Sequence, residues 1–186
     1  DLTPVLLERS LRYTIENHRA RKELERVNKE LAQSLRRIDE DQEAARRIQC
    51  QLMPETQHSQ GGYHFAYFVS TSARLSGDFV DYFRIDDEHL GVYIADVSGH
   101  GVSSAMVTVL LKSTMSRLLK QYHLQDDDTI LHPDRLLAAL NEMVLEENVD
   151  KYLTMFYFVF SDRTRSITYS NGGHFPYPIL LDGDTP

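Results

Sequence analysis

The sequence predicts an α+β fold: one long helix, then strands, two helices and strands again, in a segregated rather than alternating order. Three observations carry this expectation. Residues 1–54 hold no Gly and no Pro between Pro4 and Pro54. A run of alternating strand residues on either side of Asp86-Asp87-Glu88 reads as a hairpin. Beyond it lie two helical patterns and then two further strand-like runs.

The first segment is helical, because Pro4 falls near its start, where Pro is tolerated. From Leu24 a heptad repeat runs through Leu24, Leu31, Ile38, Ala45 and Leu52 at one core position and Val27, Ser34, Asp41 and Ile48 at the other. Such a repeat predicts a coiled coil and hence a parallel homodimer, with Leu24, Val27, Leu31, Ile38, Ala45, Ile48 and Leu52 as its seam. A long amphipathic helix packed on its own domain is the alternative. Ser34 and Asp41 interrupt the seam with polarity, a device that fixes register or leaves a helix pair adjustable. Leu7, Leu11 and Ile15 follow another phase, so Asp1 to about His18 is expected to be a separate element.

Charge divides the chain at the same place. Residues 1–54 carry 10 acids and 11 bases, and the remainder 18 acids and 9 bases. A helical module over 1–54 and a second domain over 62–186 follow, joined by a polar linker from Glu55 to Gly62. Within the second, Tyr63 to Thr71 reads as a strand and the hairpin around Asp87 comes next. Gly101 opens an apolar helix from Val102 to about Leu119, with Ala105, Met106, Val109 and Leu110 as its expected buried stripe. His123 to Thr129 reads as a loop. Pro133 suits a helix first turn, and that helix runs to about Glu147. Tyr152 to Phe160 and Ser166 to Asn171 are strands around the turn Asp162-Arg163-Thr164-Arg165.

The hairpin carries the chemistry. Asp78 lies nine residues before Asp87 and Asp96 nine residues after it, so a turn centred there sets the two aspartates directly opposite each other. Paired positions have Cβ atoms about 4.5–5.5 Å apart. Carboxylates that close need a proton or a cation between them. Binuclear hydrolytic sites hold metal ions roughly 3.5–4 Å apart, so the pair reads as half of such a site. The flanking residues are apolar on both faces, Val80, Tyr82, Val92 and Ile94 with the aspartates and Phe79, Phe83, Tyr93 and Ala95 opposite. A strand pair covered on both sides belongs inside layers. Gly99 and Gly101 after Asp96 allow backbone to approach a ligand closely.

Ser76-Gly77-Asp78-Phe79-Val80-Asp81 followed by Asp96-Val97-Ser98-Gly99-His100-Gly101 resembles the bacterial PPM-type (PP2C-like) serine/threonine phosphatases of the SpoIIE/RsbU branch. Three more pieces match in order: Ala44-Ala45-Arg46-Arg47-Ile48-Gln49 with Leu52-Met53-Pro54, then Tyr152-Leu153-Thr154-Met155, then Asn171-Gly172-Gly173-His174-Phe175-Pro176. The resemblance runs from about Ala44 to Pro186. Ser76 stands where the branch usually has Gly, and Gly172 where it usually has Ala.

The resemblance implies an α-β-β-α sandwich whose C-terminal part would lie past Pro186, together with the branch's later acidic ligands. It implies two Mn²⁺ or Mg²⁺ ions on Asp78, Asp96 and the Val97 carbonyl, and hydrolysis of a phosphomonoester by a metal-activated water. Asp81, Gly99 and His100 are its candidates for the second shell or for substrate contact. The implied substrate is a phosphorylated anti-sigma-factor antagonist in a partner-switching stress response. The first residues resemble the closing helix of a receiver domain, which implies the output half of a response regulator. The competing expectation is a catalytically inactive PPM-like adaptor, of the RssB type, that binds a sigma factor or its regulators. His174, in its Gly-rich turn, is read as structural, and Cys50, alone in the chain, as neutral.

Composition supports an intracellular regulator. A net charge of −8 argues against nucleic acid as the main ligand. No apolar run approaches the roughly 18 residues of a membrane span, and the start of the chain lacks a signal-peptide pattern. The expected location is the cytoplasm, with no nucleic-acid or membrane partner.

Overall fold

The computed structural model describes residues 4–60, 62–69, 75–147 and 150–181. The chain forms two compact units, Asp1–Glu43 and Ala44–Pro186. Helix α1 (Pro4–Leu52) is unbroken across 49 residues. The element boundary expected near His18 is therefore absent. A change in the phase of apolar residues rotates the stripe around a helix but removes no backbone hydrogen bond, and no residue between Pro4 and Leu52 breaks the ladder. Arg26 pairs with Glu23 and Glu30, Arg21 with Glu25 and Arg12 with Glu8, all one turn apart. Exposed pairs of this kind add little each. Leu24, Val27, Leu31, Ile38 and Ile48 are all exposed. Leu52 instead packs against the core of the second unit, with Met53.

Two antiparallel sheets form the second unit. Strand β1 (Gln57–Gln60) pairs with β2 (Tyr63–Ala66), Gln60 opposite Tyr63. The stretch expected to be a linker is thus half of a hairpin. Gly62, just before Tyr63, takes the left-handed φ of 79° that a tight hairpin turn demands. The strand expected to continue to Thr71 ends at Ala66, and residues 70–74 lie outside the described residues. The larger sheet has the order β3-β4-β5-β6, from β3 (Phe79–Arg84), β4 (His89–Val97), β5 (Leu153–Ser161) and β6 (Ser166–Gly172). All its pairings are antiparallel between chain neighbours.

Alternation gives that sheet two different faces. Phe79, Tyr93, Ala95, Met155, Tyr157 and Val159 lie in the core with Leu111, Met115 and Leu118 of α2 (Val102–Gln125) and Leu136 and Leu140 of α3 (Pro133–Glu146). Ile130, in a 3-10 turn over Asp128–Leu131, closes the same core, and the stretch His123 to Thr129 expected as a loop is partly taken up by the end of α2 and the start of that turn. The Ile130 carbonyl accepts the buried Tyr157 hydroxyl at 2.8 Å. The other face is partly covered by the small sheet, through Phe65 stacked on Tyr82 and Tyr63 edge-on to Phe160. Toward the aspartates this face opens, and Ile94 is 44% exposed.

Helix α2 buries a different stripe from the one expected. Ser104, Ala105, Val107, Thr108, Leu111, Thr114, Met115 and Leu118 face inward, whereas Met106 is exposed. Hydropathy misplaces the stripe because Ser104 and Thr108 are polar but have partners. Ser104 donates to the Ser98 carbonyl at 3.0 Å and Thr108 to that of Ala105 at 2.7 Å. A buried hydroxyl with a partner costs little.

At the far end of the hairpin, the Asp86 carboxylate accepts hydrogen bonds from the Glu88 and His89 amides, the His89 ring and the Tyr122 hydroxyl. Burial opposes its charge, but the bonds from Tyr122, His89 and the two amides outweigh that and bring its pKa down from 3.8 to about 2. The hydrogen bond to Asp86 correspondingly pushes the Tyr122 hydroxyl up to about 12. Because the folded-state carboxyl lies below its ordinary value, its contribution is complete above about pH 4 and is lost as pH falls through about 2. Asp86→Ala should cost about 2 kcal/mol in urea unfolding at pH 7. The gap between variant and wild type should narrow below pH 4, and a gap independent of pH would contradict the assignment.

Candidate metal centre

Strand register builds the site. Phe79 pairs with Ala95 and Val80 with Ile94, so the ladder places Asp78, the residue before β3, opposite Asp96 near the end of β4. The Gly77 carbonyl extends the contact by accepting the Val97 amide at 3.1 Å. Gly77 permits this because a Cβ there would sit 2.2 Å from the Val97 carbonyl oxygen. Asp78 and Val97 are thereby held on neighbouring strand ends at the open end of the hairpin. Both aspartates are exposed at its surface. Partial burial raises the Asp96 pKa, the negative charge of Asp78 raises it further, and His174 acts in the opposite direction. The pair is electrostatically unfavourable as it stands.

The loop after Asp96 is held at several points. The Ser98 amide donates to the Tyr152 carbonyl at 2.8 Å, and the Ser98 hydroxyl accepts the Tyr152 amide at 2.9 Å. Gly99 and Gly101 take φ values of 83° and 84°, a region that other residues enter only with strain. The Gly101 amide reaches the Leu75 carbonyl at 3.4 Å. His100, between the two glycines, is exposed.

Asp81 lies on the opposite face of β3 and is 2% exposed. Its carboxylate meets Lys112 of α2 at 2.5 Å. Burial raises its pKa, and the Lys112 ammonium opposes that rise. A buried ion pair of this kind fastens helix to sheet, and breaking it by removing one partner costs more than the pair contributes. The structure therefore brings Asp78, Asp96, Val97 and the Gly99–Gly101 loop together and sets Asp81 apart from them.

Several contributors were not singled out from sequence. Ser76 donates to the Asp78 carboxylate at 3.2 Å and accepts the Asp78 amide at 3.0 Å. Gln49, buried at the end of α1, binds the Ser76 backbone. The Thr154 hydroxyl lies 3.5 Å from the Asp96 carbonyl and 3.1 Å from His174 Nδ1. The Asn171 side chain accepts the His174 amide at 2.7 Å and donates to its carbonyl at 3.1 Å, which folds the Gly172-Gly173 turn back toward Asp96. The Asn-to-His spacing and the Ser two residues before Asp78 were visible signals for two of these contacts. Gln49 stood in the lead-in motif, but nothing local gave it a role.

The donors fit a hard divalent cation in kind, since the negative charge of Asp78 raises the cost of ionising Asp96 and a cation relieves it. Their number is small. Among the described residues, no group of three or more His, Cys, Asp or Glu side chains converges as a metal cluster.

A mixed α+β architecture with a long N-terminal helix and antiparallel sheets is consistent with a partial PPM-type fold. The chain belongs to the SpoIIE family (stage II sporulation protein E), whose sequence model matches residues 86–186. It is 34% identical over 109 residues to phosphoserine phosphatase RsbP of Bacillus subtilis, a match covering 59% of this chain and 26% of that protein. It is 33% identical over 111 residues to phosphoserine phosphatase RsbU of the same organism, covering 58% and 30%. Protein IcfG of Synechocystis sp. is 24% identical over 159 residues, covering 74% and 25%. The chain thus spans between a quarter and a third of the length of these relatives. No helix among the described residues is long and apolar enough to cross a membrane.

Two outcomes follow from the geometry. In metal-free protein, Asp78→Asn should lower the Asp96 pKa, as read by carboxyl NMR, because the repulsion disappears while the burial remains. An unmoved Asp96 would mean that the carboxylates do not face each other. Gly77→Ala should cost about 1–3 kcal/mol in denaturant unfolding, since the clash is with backbone and cannot be relieved by a rotamer.

Proposed function

We propose that this chain is the catalytic part of a metal-dependent protein serine/threonine phosphatase. The observation that carries the proposal is the facing of Asp78 and Asp96 across a fixed hairpin register in a chain of the SpoIIE family. Asp78, Asp96 and the Val97 carbonyl would hold two Mn²⁺ or Mg²⁺ ions, completed by acidic ligands elsewhere in the protein. Such ions, when bound, supply water activation and charge stabilisation for phosphoryl transfer. The chain's own residues then act as a frame. Gly77 lets the two turns approach, Ser98 ties the loop to Tyr152, and Gly99 and Gly101 keep backbone and His100 open to a phosphoryl group. The sheet and helices are read as part of the α-β-β-α sandwich of PPM enzymes, with the open face around Ile94 covered in the whole protein.

The substrate class proposed is a phosphoserine- or phosphothreonine-bearing anti-sigma-factor antagonist, within partner-switching control in the cytoplasm. RsbP and RsbU, to which the chain is similar, are phosphoserine phosphatases, which supports the phosphoserine part of that proposal. The exposed apolar residues from Leu24 to Ile48 support a coiled-coil homodimer, with an upstream receiver as the source of signal.

The full-length protein carrying Asp78→Asn or Asp96→Asn should keep its fold and lose Mn²⁺-dependent hydrolysis of a phosphoserine protein by at least about a hundredfold. Full activity in either variant sinks the metal reading, whereas wild-type protein without hydrolysis leaves the sigma-factor adaptor as the function. Separately, Leu24→Lys with Leu31→Lys should convert the dimer to a monomer in light scattering. A dimer that persists would show that the stripe serves another contact.

A further inference from the structure

The search for a role for buried polar groups outside the carboxylate pair ends at Gln49. This side chain sits in the last turns of α1 and is 4% exposed. An amide in such a place is costly unless every donor and acceptor is used. Here all are. Nε2 donates to the Ser76 carbonyl at 2.7 Å and to the Thr108 hydroxyl of α2 at 3.0 Å. Oε1 accepts the Ser76 amide at 3.3 Å. Ser76 is itself buried, so these are the partners its backbone has in place of water. Ser76 in turn holds Asp78 twice, through the amide and through the carboxylate.

We infer that Gln49 is a positioning residue for the carboxylate pair. The argument rests on connectivity. A continuous line of hydrogen bonds runs from Thr108 to Gln49, from Gln49 to both backbone groups of Ser76, and from Ser76 to Asp78. Asp78 precedes the first residue of β3, so the ladder does not fix its carboxylate by itself. The Gly77–Val97 contact fixes the backbone behind it, and the Ser76 hydroxyl fixes the carboxylate. Turning or withdrawing the last turn of α1 would strip Ser76 of its partners and let Asp78 move relative to Asp96. Thr108 supplies the fixed end, because it is fully buried and its hydroxyl is already committed to the Ala105 carbonyl. This inference deepens the phosphatase reading and rests on it for the meaning of the site.

The test separates bracing from bulk stability. Gln49→Leu keeps side-chain volume close and removes all three hydrogen bonds. In the full-length protein, amide hydrogen exchange at Ser76 and Asp78 should accelerate by about tenfold or more, the loss of roughly one to two net hydrogen bonds. Exchange at Tyr93 and Tyr157, in the sheet centre, should stay at the wild-type rate. Unchanged exchange at Ser76 and Asp78, or acceleration in step with Tyr93 and Tyr157, would overturn the inference. Mn²⁺ affinity by calorimetry should fall about tenfold in the same variant, and equal affinity would also overturn it. Should Gln49→Leu not fold, Thr108→Val, which removes one bond from the line, takes its place with the same readings. Ser76→Ala should weaken Mn²⁺ binding while leaving Ser76 exchange unchanged, since only the last link is cut. Wild-type protein that binds no Mn²⁺ contradicts the phosphatase reading alone, and the exchange rates then decide the bracing by themselves.

Discussion

The antiparallel register of β3 on β4 is the constraint on which the rest depends. It sets Phe79, Tyr93 and Ala95 toward the helices and the two aspartates toward the open face. A slip of one residue would exchange the faces, burying Asp78 and Asp96 and exposing the aromatic core. The cost of that exchange locks the register, and the register determines the chemistry. The site therefore inherits its geometry from the hydrophobic core. Asp86 and Tyr122 secure the same hairpin at its other end, where the turn must stay centred for the opposition to hold.

The two ends of the hairpin treat carboxylates in opposite ways. Asp86 is surrounded by donors, which lower its pKa and make it a structural anchor. Asp96 is pushed upward by burial and by Asp78, with the weaker influence of His174 against it. An anchor is satisfied within the chain. A pair left in mutual repulsion at the surface awaits something positive, and this contrast is the physical content of calling one end structural and the other a site. Asp81 is the intermediate case, a buried carboxylate whose cation is built in as Lys112.

Local periodicity made much of this legible from sequence. The hairpin register follows from a turn and an alternation, both contained in fewer than 20 residues, and the opposition of Asp78 and Asp96 came with it. Helices α2 and α3 and strands β5 and β6 were readable to within a few residues, except that α2 runs on to Gln125. What escaped reading depended on partners far away in the chain. The buried stripe of α2 turns on Ser104 and Thr108, polar residues made acceptable inside by Ser98, Ala105 and Gln49. Gln49 itself sits among exposed neighbours in sequence, and its partners are 27 and 59 residues away. Strand β1 was hidden by its polar residues, whose partners His64 and Tyr82 the fold supplies, and Asp81 by an ion pair that only the packing of α2 creates.

The central claim is that Asp78 and Asp96 form one cation-binding pair. Carboxyl ¹³C NMR of the protein during a Mg²⁺ titration tests it without recourse to substrate or partner. The account predicts that both carboxyl resonances move together along a single saturation curve, and that Asp86, already satisfied, stays still. Resonances of Asp78 and Asp96 that ignore Mg²⁺, or that respond with unrelated affinities, would contradict it.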